Sequence, residues 1–164
     1  MHNLRRYRRL FLLLLVLSLV GCDHASKRWA KRALSDSPAV SVIDNVLDLR
    51  YAENVGVSFS MLSNTPASLR RPLVIGMQLC ALAIVLVFWL RFDHQRRLLS
   101  NIAFSLIVAG ALGNLLDRGL WGFVVDFIHL RRWPIFNIAD TLVVTGGLLL
   151  LMLMLIKPAK AEPV

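Results

Sequence analysis

The sequence predicts an all-α membrane protein of four transmembrane helices, with two or three short strands in an outward-facing segment. Three observations predict it. Of 164 residues, 57% are hydrophobic and 18% charged, against roughly half and a quarter in soluble domains. The apolar residues are gathered into blocks, and a bilayer is crossed by about 20 of them at 1.5 Å rise each. The basic residues, which set a net charge of +9, flank those blocks and form no face of their own. That placement fits membrane anchoring and argues against nucleic acid as a partner. A water-soluble single-core enzyme is excluded. The length fits one membrane-embedded domain over residues 1–164.

The first span is expected over residues 10–26. Residues 10–22 alone have only the length of a signal-peptide apolar region, so Ala25 and Ser26 must extend the helix with Asp23 at the water interface. Leu19-Val-Gly-Cys22, behind Arg5, Arg6, Arg8 and Arg9, also looks like a lipobox. That would make a lipid-anchored secreted protein processed at Cys22, which has no use for three further spans. Residues 40–62 follow as the β segment. Val40, Val42, Leu47, Leu49 and Tyr51 partly alternate, and Val57, Phe59 and Met61 alternate cleanly, which predicts two or three short strands. Gly56 supplies a bend. The second and third spans, 72–90 and 98–116, carry no formal charge, and the fourth, 138–156, carries only Asp140. Ala109-x-x-x-Gly113 and Gly146-Gly147 read as close helix-packing sites. Cys22 and Cys80 lie at different membrane depths, so no disulfide is expected.

Orientation rests on the first helix. Lys and Arg number nine on the side of the N-terminal tail, residues 91–97 and the C-terminal tail, and ten on the other. The four arginines in the first nine residues therefore decide, placing both termini in the cytoplasm and residues 23–71 and 117–137 outside.

Ionisable groups at membrane depth are costly and are functional suspects. Here they gather at the outer face. Asn114, Asp117 and Arg118 share one helical face at the end of the third span. Asp126 stands in an otherwise apolar stretch, Asn137 and Asp140 open the fourth span, and Asp23 and Lys27 lie at i and i+4 in the first. Simpler roles exist for each: a capping box for Asn137 and Asp140, a turn residue for Asp126, an ordinary helix pair for Asp23 and Lys27. Those roles leave unexplained why two apolar-flanked aspartates converge on one face. Two nearby carboxylates share a proton, so the ionised one can take a proton from water while the other polarises a peptide carbonyl. No Ser-His, Cys-His or metal-ligand spacing competes, so no metal is expected.

These motifs resemble bacterial lipoprotein signal peptidase (signal peptidase II), a family of intramembrane aspartic proteases. The resemblance runs in order through Asp23-His-Ala-Ser-Lys27, Asn54-Val-Gly-Val-Ser-Phe-Ser60, Gly113-Asn-Leu-Leu-Asp-Arg118, Val124-Val-Asp-Phe127 and Phe136-Asn-Ile-Ala-Asp140. It implies a catalytic dyad of Asp126 and Asp140. It implies supporting or substrate-binding positions at Asp23, Lys27, Asn54, Gly56, Phe59, Asn114, Arg118 and Asn137. It further implies cleavage of diacylglyceryl-modified prolipoproteins just before the lipidated cysteine, without cofactor, in the bacterial inner membrane among membrane lipids, and it makes residues 40–62 a small periplasmic β-strand cradle; a monomer is expected. A catalytically idle homologue that binds the same precursors is the chief alternative. Three departures from the family stand out: Ser26 for threonine, Glu53 before Asn54, and a short connection between Asp126 and Asp140 containing Arg131-Arg132-Trp133.

Overall fold

In a computed structural model, residues 2–56, 65–91 and 98–156 are described. They form α1 (His2–Leu34), β1 (Val40–Ile43), β2 (Leu47–Asn54), α2 (Ala67–Arg91), α3 (Leu98–Leu120), β3 (Val124–Leu130) and α4 (Ile138–Leu155). All four helices are long and apolar enough to cross a membrane, with mean hydropathies between 1.6 and 2.6. The fold class is as predicted.

α3 is the central post. It packs against α1, α2 and α4, and half of its apolar window is buried, against 11–22% in the other three. Val16 of α1, Leu82 of α2 and Val108 and Ala109 of α3 make the membrane core. Close approach of α3 and α4 depends on two glycines. A methyl at Gly110 would strike the Ala139 carbonyl and Val143, and one at Gly146 would meet the Ala103 carbonyl at 2.6 Å. The expected packing sites are thus corrected in detail. Gly147 faces open space, Gly110 rather than Gly113 meets the α4 backbone, and Gly113 instead makes room for the Asp23 carboxylate.

α1 is longer than the expected 10–26. Its last turns leave the apolar block but continue as a helix because Ala30 and Leu34 pack beneath the sheet, against Val125 and Phe127. Lys31 and Arg32 stand in the final turn, where cations suit the helix C-terminus.

The sheet is antiparallel in the order β1-β2-β3. β1 and β2 fall where the alternation placed them, joined through Asn45 at φ 62°. The expected alternation at Val57, Phe59 and Met61 lies outside the described residues. β3 is the strand that periodicity did not announce. Val124 through Phe127 are all buried, and burial on both faces erases the alternation that marks a half-exposed strand. Asp126 is therefore a mid-strand residue and not a turn residue.

The sheet register begins to assemble the site. Ala52 pairs with Asp126 and Asn54 with Val124, so Asn54 is the same-face diagonal neighbour of Asp126, within side-chain reach. At the far end of β3 the chain turns through residues 131–136 and enters α4 at Asn137, the N-cap of a complete capping box with Asp140.

Candidate active site

Asp126 and Asp140 line one cavity of about 530 Å³. Asp126 is 3% exposed. Asn137 Nδ2 donates to its Oδ1 at 2.7 Å, and Asn54 Nδ2 to its Oδ2 at 3.0 Å. Asp140 is half-buried and accepts from Asn114 Nδ2 at 2.8 Å on Oδ1 and from the Asn137 backbone N–H at 3.3 Å on Oδ2. Each carboxylate is thus held by neutral donors on both oxygens. Burial, reinforced by the charge of Asp140, pushes Asp126 up to about 6, even though the two amides favour its ionised form.

The amides cannot flip, because each Oδ1 is already taken by a donor. Gly56 N–H donates to Asn54 Oδ1 at 3.1 Å, Asp140 N–H to Asn137 Oδ1 at 3.0 Å, and Lys27 Nζ to Asn114 Oδ1 at 2.8 Å. A group that can only donate leaves the Nδ2 end to face the carboxylate. Asparagine at these positions is therefore required by chemistry: an aspartate would repel the pair, and an apolar residue would leave it unheld.

Behind the dyad lies a second polar cluster, fully buried. Lys27 Nζ sits 2.7 Å from Asp23 Oδ2 and 2.8 Å from Asp117 Oδ2. Asp23 Oδ1 accepts from Ala139 N–H at 2.8 Å, which ties α1 to the first turn of α4. The i,i+4 spacing of Asp23 and Lys27 was legible, but Asp117 as the third member was not. Its position beside Asn114 on one helical face was the available signal.

Arg118 does not hold the dyad directly. Its Nη2 donates to the Gly56 carbonyl at 2.6 Å and its Nη1 to Gln78 Oε1 at 3.0 Å. Gln78 had no charge and no motif to mark it. Phe59 lies outside the described residues. The remaining implied positions, Asp23, Lys27, Asn54, Gly56, Asn114 and Asn137, all gather at or directly behind the cavity. Gln78 and Arg118 also line the cavity, and the rest of its lining is mostly apolar, with Met77 and Ala81 from α2, Val143 and Val144 from α4, and Trp133, Pro134 and Ile135 from the connection before α4.

A family profile described as "Signal peptidase (SPase) II" matches residues 15–156. The chain is 36% identical to the lipoprotein signal peptidase of Syntrophomonas wolfei over 93% of its length and 94% of that protein's. It is 35% identical to the lipoprotein signal peptidase of Clostridioides difficile, covering 92% and 98%. Its fold is similar to a bacterial membrane enzyme solved by the in meso method at 2.3 Å resolution, with TM-score 0.77 and 29% identity over 94% of both chains.

Proposed function

The chain belongs to the signal peptidase II family, and from that premise we propose that it is an aspartic endopeptidase acting through Asp126 and Asp140 on diacylglyceryl-modified prolipoproteins. The observation that carries this is the pairing itself: two carboxylates lining one cavity, held by neutral amides, with no cation bonded to either among the described residues.

A pair so placed shares one proton. The ionised carboxylate takes a proton from a bound water as its oxygen attacks the scissile carbonyl carbon. The protonated carboxyl donates to the carbonyl oxygen, giving a tetrahedral diol. Collapse of the diol breaks the C–N bond, with a proton passing to the leaving nitrogen and the dyad returning to its starting state. Asn54, Asn114 and Asn137 keep both carboxyls in register, which is where much of the rate advantage of a preorganised site resides.

The apolar flanks from α2 and α4 suit a substrate whose acyl chains already lie in the bilayer. Cleavage falls just before the lipidated cysteine. The arginines of the N-terminal tail support an orientation in the inner membrane with both termini in the cytoplasm and the dyad at the periplasmic end of the spans. Asp126, Asp140 and the asparagines that hold them all come from one chain, which supports action as a monomer.

The test is processing of a diacylglyceryl-modified prolipoprotein by the purified protein in detergent. Asp126→Asn and Asp140→Asn should each lower kcat by about 10³-fold or more while unfolding stays cooperative. Wild-type processing by either variant would overturn the dyad.

A further inference from the structure

We propose that Gln78, in the middle of α2, is a positioning residue that reaches Asp126 through Arg118, Gly56 and Asn54. This rests on the catalytic role of Asp126 given above.

Between Pro72 and Leu90 of α2, Gln78 is the one side chain that carries an amide or a charge. A primary amide at membrane depth is costly unless both of its ends are bonded. Both are. Gln78 Nε2 donates to the Ala111 carbonyl of α3 at 2.9 Å, and Gln78 Oε1 accepts from Arg118 Nη1 at 3.0 Å. The Ala111 carbonyl can only accept, so the amide has one orientation, with its oxygen presented to Arg118. The guanidinium can only donate, so the match is forced at both ends.

Arg118 then has its direction fixed. Three carboxylates, Asp126, Asp140 and Asp117, attract its charge, and a long flexible stem would let it turn to any of them. Gln78 holds one arm of the fork, and the other arm meets the Gly56 carbonyl at 2.6 Å. The same Gly56 donates its N–H to Asn54 Oδ1 at 3.1 Å, leaving Asn54 Nδ2 on Asp126 Oδ2 at 3.0 Å. The Ala111 bond alone would suffice to join α2 to α3. The Arg118 bond adds control over where the end of β2 sits relative to the dyad.

The experiment measures steady-state processing of a diacylglyceryl-modified prolipoprotein by purified full-length protein, with unfolding followed in the same detergent. The variants are Gln78→Met, Gln78→Glu, Asn54→Ala, the double variant Gln78→Met/Asn54→Ala, and Asp126→Asn as reference. Gln78→Met should lower kcat by about tenfold with KM within about twofold. Gln78→Glu keeps an acceptor for Arg118 and should recover most of that loss. In the Asn54→Ala background, Gln78→Met should cost less than about twofold more, because two residues acting along one path are not additive. The inference fails if Gln78→Met lowers only the unfolding temperature, raises only KM, or repeats its full tenfold loss without Asn54. It also fails if Gln78→Glu loses about tenfold or more of kcat relative to the unmodified protein, a readout that stands whether or not the methionine variant folds. An inactive Asp126→Asn beside a fully active Gln78→Met overturns this inference alone, whereas an active Asp126→Asn overturns the proposed function itself.

Discussion

Asp23 and Asp117 are buried around the ammonium of Lys27, whereas Asp126 and Asp140 face a cavity among amides. The two pairs sit in one bundle and share a residue, since Asn114 bonds Lys27 with its oxygen and Asp140 with its nitrogen. The first pair has a cation between its members and is fully buried. Its job is to fasten α1 to α3 and, through Ala139, to α4. The second pair lines a cavity and has no bonded cation among the described residues, which is what the proposed exchange of a proton needs. A buried carboxylate becomes structural or chemical according to what its neighbours are able to give it.

The sharpest way to break this comparison is to remove the cation. Lys27→Met leaves Asp23 and Asp117 buried without a partner and should cost about 3–5 kcal/mol, read from denaturant or thermal unfolding in micelles. Adding Asp117→Asn should return part of it. A loss below about 1 kcal/mol would mean that the first pair is not held by Lys27. Asn114→Leu cuts the link between the pairs. It should lower kcat about 10- to 100-fold and stability by about 1–3 kcal/mol, and movement of only one of these would show that Asn114 serves one pair alone.

Titration sharpens the difference further. Asp126 is raised to about 6 from an ordinary 3.8, so the folded chain binds this proton more tightly than the unfolded chain does. Stability from this group is greatest below pH 4, falls as pH rises from about 4 to 6, and is flat above. The fall should be on the order of 1–3 kcal/mol and absent from Asp126→Asn; identical pH profiles for the two proteins would remove the basis for the proposed proton exchange. The smallest effect belongs to a pair outside both clusters. His129 Nδ1 lies 3.6 Å from Asp48 Oδ2 on the half-exposed rim of the sheet, and Asp48→Asn should change stability by less than about 1 kcal/mol.

Three of the four spans were legible to within a few residues because uncharged runs of that length have few other uses. The end of α1 was not, because 27–34 is charged in sequence and becomes half-buried only once the sheet rests on Ala30 and Leu34. β3 was hidden by its own burial: a strand covered on both faces has no period of two to detect. At the site, Asp126 and Asp140 stood out because charge in an apolar setting is conspicuous. Gln78 did not, since a neutral amide inside a span carries no such contrast and shows its purpose only when Arg118 is found beside it. Asp117 was visible as a charge but not as a partner of Lys27, because that contact joins α1 to α3 across 90 residues of chain.

Asp140 stands in the first turn of α4, and Ala139 beside it is docked by Asp23 from α1. A chain emerging from the ribosome therefore makes the two aspartates almost together, but Asp140 reaches the pocket only once α4 is seated. With three helices threaded, the pocket lacks a wall, Asn137 and Asp140, so the proposed dyad is incomplete. On that proposal, competence to cut arrives only when the fourth helix threads into the bilayer and seats against the first. Threading of the final helix is then the step that completes the proposed site.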